Sequence, residues 1–123
     1  MNHALLLRTD GSFELLDWPK EGQLNALYRA VSCQNIDAVD LSDRLTMWLD
    51  DEGLINGSPV NRAATLLYAA HRPPHQRYHG HAVITGGTDR HGNTLGLTQD
   101  EIAEIVELHL SHTAVVIPAQ RTN

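Results

Sequence analysis

Histidines are the residues of this chain whose type and spacing could bind a metal. The segment 71–81, HRPPHQRYHGH, contains four of them. Zinc takes three or four N, S or O ligands in a tetrahedral arrangement. His79 and His81, at i and i+2, would point to the same side of a strand, and His75 and His112 could complete the set. A zinc site at His75, His79, His81 and His112 is therefore one hypothesis.

A solvated loop is the simpler interpretation of this histidine segment. Pro73 and Pro74 prevent a helix that would place His71 and His75 on one face. The chain has no HExxH motif, and its single cysteine, Cys33, is far away in sequence. We therefore expect no cofactor, and we keep a site within His71–His81 as an alternative.

An acidic turn beside a tryptophan is the first candidate binding surface. Trp48 alternates with the other apolar residues of 45–49, and Asp50, Asp51 and Glu52 follow directly. In a sheet covered on one face, either Trp48 or its neighbours would face outward. An exposed tryptophan surrounded by acids would be a contact surface. The alternative is that a second layer covers Trp48.

The pattern Gly57-x-Pro59-x-Asn61 is the second candidate. It has a sufficient structural explanation, because a tight turn would lead into a helix over 61–70 that is capped by Ser58 or Asn61. The N-terminus of such a helix can also receive an anion. The sequence leaves both functions of the segment open.

Other catalytic signatures are weak. The serines lie in no GxSxG motif, and Gly86-Gly87 is followed neither by a helix start nor by a Gly-Lys-Ser/Thr sequence. Cys33 falls after a helix, where the dipole raises a thiol pKa rather than lowering it. We therefore expect a protein that is not an enzyme.

Length and composition indicate one domain, residues 1–123. The single cysteine allows no intrachain disulfide, and a reducing compartment is the simplest interpretation. The formal net charge is −6, from 9 basic and 15 acidic side chains, so direct nucleic-acid binding is not expected. The start of the chain has no basic segment typical of a signal peptide, and no stretch is apolar enough for a membrane span. We expect a cytoplasmic protein that does not contact a membrane.

Local patterns predict the elements. An Asp10-Gly11 turn joins two strands, apolar positions at helical spacing follow, and Thr98 with Glu101 forms a capping box for the last helix. The predicted strands are 4–8, 13–17, 36–42, 44–50 and 81–85, and the predicted helices are 21–33, 61–70 and 98–111. A C-terminal tail, 113–123, contains an apolar run. The order ββαββαβα indicates an α+β fold, a mostly antiparallel sheet with helices packed mainly on one face.

Several segments together resemble a known family. They are ALLLRTDGSFELLDWP, LNALYRAVSCQNIDAVDL, LTMWLDDEGLINGSPVNRAAT and GHAVITGGTDRHGNTLGLTQDEI. They are similar to the domain of unknown function 3846 family, found in actinobacterial, plasmid and phage proteins, over residues 4–107. The resemblance implies an accessory protein, often of a mobile element, and no assigned activity. The histidine-rich loop departs from the family pattern.

The hypothesis favoured by these observations is a non-enzymatic accessory or adaptor domain that binds a protein partner. The predicted contact surface is Trp48, Asp50, Asp51, Glu52, Gly57, Pro59 and Asn61. A homodimer is also expected, because a small open sheet has edges and faces that a second copy could cover. A small-molecule or anion binder at the N-terminus of the 61–70 helix is the first alternative, and the zinc protein is the second.

Overall fold

The computed structural model describes residues 2–33, 35–52, 57–72 and 77–108. The strands are β1 His3–Leu7, β2 Phe13–Asp17, β3 Ile36–Ser42, β4 Leu45–Asp50 and β5 Ala82–Gly86. The helices are α1 Gln23–Val31, α2 Arg62–His71 and α3, which begins at 99 and continues to 108, where description ends. The order ββαββαβα and the α+β class are confirmed. The predicted tail lies outside the described residues.

The five strands form one antiparallel sheet in the order β2-β1-β5-β4-β3. The two hairpins, β1–β2 and β3–β4, follow from local turns. The central pairings of β5 with β1 and with β4 join residues far apart in the chain, such as Leu5 with Ile84. Among the strands that the structure describes, β2 and β3 are therefore the two outermost.

The alternation of side chains gives the sheet two apolar faces, and each face has its own core. On one face, Leu5, Met47 and Ile84 pack with α2 and α3. On the other, Leu6 and Val83 pack with α1. Two of the three helices share a face, as the sequence predicts, and the opposite face is covered by α1 and by Trp18, which is buried.

Gly86 and Gly87 are explained by close backbone packing. A Cβ on Gly86 would lie 2.6 Å from the carbonyl oxygen of Gly96, and one on Gly87 would lie 2.6 Å from that of Asp43. Contacts this short are not seen for real Cβ atoms, so both positions need glycine. The pair brings the loop after β5 against the sheet.

The two helices for which the sequence predicts a capping side chain, α2 and α3, both have one. Asn61 Oδ1 accepts the Ala64 N–H at 3.0 Å, so Asn61 rather than Ser58 is the cap of α2. Thr98 Oγ1 accepts from Glu101 N–H, and Glu101 accepts from Thr98 N–H, which completes the capping box of α3. None of the helices in the described part of the chain has the length and hydropathy that a bilayer crossing requires.

Candidate functional site

The predicted contact residues gather at one end of the sheet. There, Leu7 ends β1 beside Ala82 of β5, and Asp50 ends β4 beside Ile36 of β3. The acidic turn follows Asp50, and the 57–61 segment lies against the chain just before β5. The structure thus brings the two predicted surfaces to the same end, while Trp48 lies two residues further inside.

Asn61 is the centre of this end, and its side chain faces inward. It is 0% exposed. Its Nδ2 donates to the carbonyls of Leu7 and Gly80, both at 2.9 Å, while Oδ1 caps α2 through Ala64. The side chain therefore ties β1, the chain before β5 and α2 together. This is the structural explanation that the sequence left open, and Asn61 offers no surface to a partner.

The remainder of the 57–61 segment is more accessible. Gly57 and Pro59 are exposed. Pro59 accepts the N–H of Gly80 at 2.9 Å, and Val60 forms a bridge with His79. Gly57 has a φ of 76°, in the left-handed region that favours glycine. Gly57 and Pro59 thus have turn-forming roles and remain able to contact a partner.

The acidic turn holds itself together through local hydrogen bonds. Asp50 accepts from the Glu52 N–H at 2.9 Å, and Asp51 N–H donates to the Asn35 carbonyl. The Asn35 side-chain amide donates to Glu52 at 3.0 Å. Asp51 and Glu52 are exposed, whereas Asp50 is half-buried. The hydrogen bonds shape the turn that follows β4 and tie it to Asn35, which precedes β3, and two of the three carboxylates face solvent.

Trp48 is half-buried rather than fully exposed. It packs against the core beneath α1, beside Val83, and its Nε1 donates to Thr85 Oγ1 at 2.9 Å. Thr85 is itself fully buried. Of the two expectations for Trp48, the covering second layer describes its surroundings better, because α1 supplies that layer.

The histidines do not share one direction. Gly80 has a φ of 84°, so the alternation expected of a strand is broken between His79 and His81. His79 Nδ1 contacts the Ser58 carbonyl at 2.9 Å, whereas His81 Nδ1 accepts the Thr9 N–H at 3.3 Å. The prediction that these two side chains point the same way is wrong.

No group of three His, Cys, Asp or Glu side chains suited to a metal ion occurs within residues 2–33, 35–52, 57–72 and 77–108. His75 and His112 lie outside these ranges. His71 is described, and its Nδ1 lies 3.0 Å from the Leu67 carbonyl at the end of α2.

Cys33 is half-buried, and burial, followed by the charge of Asp50, raises the pKa of its thiol. A raised pKa disfavours the reactive thiolate.

Strand β2 carries a surface that motif analysis of the sequence missed. Leu15 is 48% exposed and Phe13 is 38% exposed, although both project to the face that holds α2 and α3. Their cross-strand neighbours Leu5 and Leu7 are each only 1% exposed. Among the described residues, the helical layer thus stops at β1. We call the outward side of β2, formed by Phe13, Leu15 and Asp17, the β2 edge.

The backbone at the β2 edge also points outward. Arg8 N–H donates to the Ser12 carbonyl and Trp18 N–H to the Asn2 carbonyl, both at 2.9 Å. Hydrogen-bonded pairs alternate with non-hydrogen-bonded pairs in an antiparallel ladder. Leu5 and Leu15 form a non-hydrogen-bonded pair in this register. The peptide groups of Leu15, and of the residues two places before and after it, therefore face away from β1.

The opposite edge of the sheet, β3, is built differently. Asp37 and Asp40 are exposed along it, and a register shift between Asp40 and Ser42 bends the strand. Arg72 Nη1 also donates to the Asp40 carbonyl at 3.1 Å from the end of α2. Charges and bulges are the features with which proteins protect an edge from pairing. The β2 edge has no bulge in its register.

Comparison with known proteins gives a family and no closer relative. No curated protein and no solved structure shows significant similarity to the chain. The model of the family described as Domain of unknown function (DUF3846) matches residues 1–110 of the 123. That match spans every described element, from β1 to α3. The chain therefore belongs to the DUF3846 family.

Proposed function

We propose that this chain is a non-enzymatic adaptor domain that binds an extended segment of a protein partner along the β2 edge. Such binding adds a strand to the sheet, so that main-chain hydrogen bonds supply affinity and alternate side chains supply specificity. The half-exposed Leu15 would contact one of the partner's alternate side chains.

The observation that carries this proposal is the difference between two directly paired leucines. Leu5 is 1% exposed and Leu15 is 48% exposed, although they are cross-strand partners on one face. A soluble domain rarely leaves a flat apolar strand edge uncovered, because such an edge pairs with other chains. A partner that covers Leu15 would complete the layer that ends at β1.

The buried polar groups have structural roles. Every buried side-chain N or O atom of the described residues has a hydrogen-bond partner. Thr85 and Asn61, the most buried polar side chains, hold strands and loops together.

A selection from a library of random extended peptides tests the proposal. Peptides selected on the wild-type protein should bind it and should bind Leu15→Lys far more weakly. Leu95→Lys is the matched control, because Leu95 is also 48% exposed but lies in the loop after β5. Bound peptide should slow hydrogen exchange of the Leu15 and Asp17 amides, which face outward.

Two results would refute the proposal. One is that no peptide is selected. The other is that the selected peptides bind Leu15→Lys as well as they bind wild type, since the contact would then lie elsewhere on the surface. Reduced binding by Leu95→Lys alone would likewise place the site near the β5 loop.

An anion binder at the N-terminus of α2 is the second candidate function. The first turn of α2 contains no acidic residue, and Arg62 and Arg77 are both exposed. Asn61 N–H donates to the Tyr78 carbonyl at 2.7 Å, which brings the backbone next to Arg77 to the start of the helix. Thermal shifts with phosphate and nucleotides test it. An unchanged melting temperature at millimolar ligand, or an equal shift in Arg62→Gln/Arg77→Gln, counts against it.

A cytoplasmic location and an accessory role in a mobile element belong to the same proposal. The single cysteine supports a reducing compartment, since no intrachain disulfide can form. Fractionation of a native host cell, with detection of the endogenous chain, tests the location. Recovery in the membrane or secreted fraction would contradict it.

A further inference from the structure

We propose that the α1 side of the β3–β4 hairpin binds an arginine side chain of a protein partner, with the guanidinium over the ring of Trp48 and beside the carboxylate of Asp40. This surface lies on the opposite face of the sheet from Leu15, because Trp48 packs beneath α1 and Leu15 pairs with a residue of the other core. The inference therefore goes beyond the proposed function, and either can fail without the other.

The strand register places the residues of this surface together. Ala38 is the cross-strand partner of Trp48, and Asp40 is that of Thr46. Side chains two residues apart along a strand share a face, so all four project to the α1 side of the hairpin. Thr46 Oγ1 lies 3.5 Å from Asp40 Oδ1, as expected for neighbours on one face.

The cover that α1 provides does not extend over this part of β3. Ala38 and Asp40 are exposed, whereas Thr46 is buried and Trp48 is half-buried. The methyl group of Ala38 is too short to cover the indole ring opposite it. Among the described residues, Trp48 is therefore open on the side that faces β3.

The indole ring is held in position before a partner binds. Its Nε1 donates to Thr85 Oγ1 at 2.9 Å, and Thr85 is fully buried. A cation is attracted to the face of a tryptophan ring. Because the ring of Trp48 is already ordered, binding a cation there costs little side-chain entropy.

The carboxylate beside the ring favours a cation. Asp40 forms no salt bridge within the described residues, and Arg72 donates to its main-chain carbonyl. Arginine suits this pair of groups better than lysine, because its planar guanidinium can stack on an indole and donate two parallel hydrogen bonds to a carboxylate. The net charge of −6 also attracts a basic partner.

An NMR titration with the capped peptide Gly-Gly-Arg-Gly-Gly tests the inference. The indole N–H signal of Trp48 should shift and saturate, with a dissociation constant on the order of 1 mM because a single side chain binds. The indole signal of Trp18, which is buried, is the internal reference. A peptide with citrulline in place of arginine keeps the shape but lacks the charge, and it should not shift the Trp48 signal.

Two matched variants separate a contact from the effect of net charge. Asp40→Asn should weaken binding by about 3-fold to 10-fold, because it removes a charged hydrogen-bond acceptor. Asp37→Asn is the control, since Asp37 is also exposed on β3 but pairs with Leu49 and projects to the other face. It should bind the peptide almost as wild type does. Ala38→Lys should weaken binding, because it places a cation of the chain itself beside the ring.

Four results would overturn the inference. They are a Trp48 indole signal that does not saturate, a citrulline peptide that binds equally well, equal losses in Asp40→Asn and Asp37→Asn, and an Ala38→Lys variant that binds as wild type does. The three substituted residues are exposed, so each variant should fold. A dispersed amide spectrum checks this for each protein before titration.

Discussion

Two short segments of this molecule differ in burial in a way that their sequences do not predict. Residues 57–61 are polar and contain a glycine, a proline and an asparagine, which is typical of a binding loop. Their most polar member, Asn61, is completely buried, and its side chain makes three hydrogen bonds within the fold. Strand β2 reads as an ordinary amphipathic strand, yet Leu15 is half-exposed. The polar segment stabilises the fold, and Leu15 of the apolar strand remains half-exposed among the described residues.

The comparison shows that polarity alone does not indicate which side chains reach the surface. Asn61 is fixed by a structural need, because the end of β1, the chain at Gly80 and the start of α2 meet around it. Leu15 serves no comparable need, because no described helix covers it. The variants below test whether each segment has the role assigned to it, and they are ordered by the size of the expected effect.

The largest effect is expected for Asn61→Ala. It would leave the Leu7 and Gly80 carbonyls without their donor and the Ala64 N–H without its acceptor. Each buried polar group left unsatisfied costs about 1–3 kcal/mol, so the free energy of unfolding should fall by roughly 4 kcal/mol. Urea denaturation measures this change.

Asn61→Asp separates the loss of the α2 cap from the loss of the two hydrogen bonds that the Asn61 amide donates. The carboxylate can still cap α2, but it cannot donate to the two carbonyls and brings a charge into a buried site. It should destabilise the fold at least as much as Asn61→Ala does. A loss below about 1 kcal/mol for either variant would mean that Asn61 is not the structural centre of this end of the sheet.

The next largest effect separates the two leucines of one cross-strand pair. Leu5→Ala removes a buried side chain and should lower the free energy of unfolding by about 3 kcal/mol, within the usual 2–5 for such substitutions. Leu15→Ala should lower it by less than about 1 kcal/mol, because that side chain is already in water. Denaturation must be measured at protein concentrations where the chain is monomeric. Equal losses would mean that a layer covers Leu15 in the monomer.

The local elements of this fold were predictable from sequence, and the arrangement of its sheet was not. The Asp10-Gly11 turn, the Asn61 cap and the Thr98–Glu101 capping box each depend on residues within a few positions, so local rules identify them. The pairing of Leu5 with Ile84 depends on contacts across most of the chain. The exposure of Leu15 follows from that pairing, because it depends on which strand lies at the edge.

The same limit applies to two histidines and two glycines. His79 and His81 were expected on one side, but the left-handed Gly80 turns the chain between them. Gly86-Gly87 could not be assigned from sequence, because the carbonyls that exclude a side chain there come from Asp43 and Gly96. In both cases the deciding feature is backbone geometry that sequence patterns do not locate.

A smaller effect is expected from Tyr78, which packs on Tyr68 beside the 57–61 segment, with ring centroids 5.2 Å apart. Burial, and then the neighbouring Tyr68, raises the pKa of Tyr78 from 10.0 to about 12. The folded state thus keeps the phenolic proton longer than the unfolded chain does. This contribution to stability is complete below pH 10 and is lost as the pH rises toward about 12.

Denaturation at a series of alkaline pH values measures this loss, which should be on the order of 2 kcal/mol. Tyr78→Phe is the control, because it removes the ionisation but keeps the ring. Its free energy of unfolding should depend less on pH over the same range. An unchanged pH dependence of the free energy of unfolding would mean that Tyr78 is accessible to solvent in the folded state. The buried region around Asn61 would then not extend to Tyr78.

The smallest effect concerns the turn that presents β2. Asp10 accepts from Ser12 Oγ at 2.6 Å and from the Ser12 N–H at 2.8 Å, and the hydroxyl bond is the main cause that lowers the Asp10 pKa from 3.8. Because the pKa is lowered in the folded state, the stabilisation is present above pH 3.8 and is lost as the pH falls through the folded value. Ser12→Ala should raise the Asp10 pKa and leave it still below 3.8, since the backbone bond remains. Carboxyl chemical shifts followed by NMR measure it. Binding of the selected peptides near neutral pH should not change, because Asp10 is ionised in both proteins; weaker peptide binding by Ser12→Ala would show that the hydroxyl bond itself sets the position of the β2 edge.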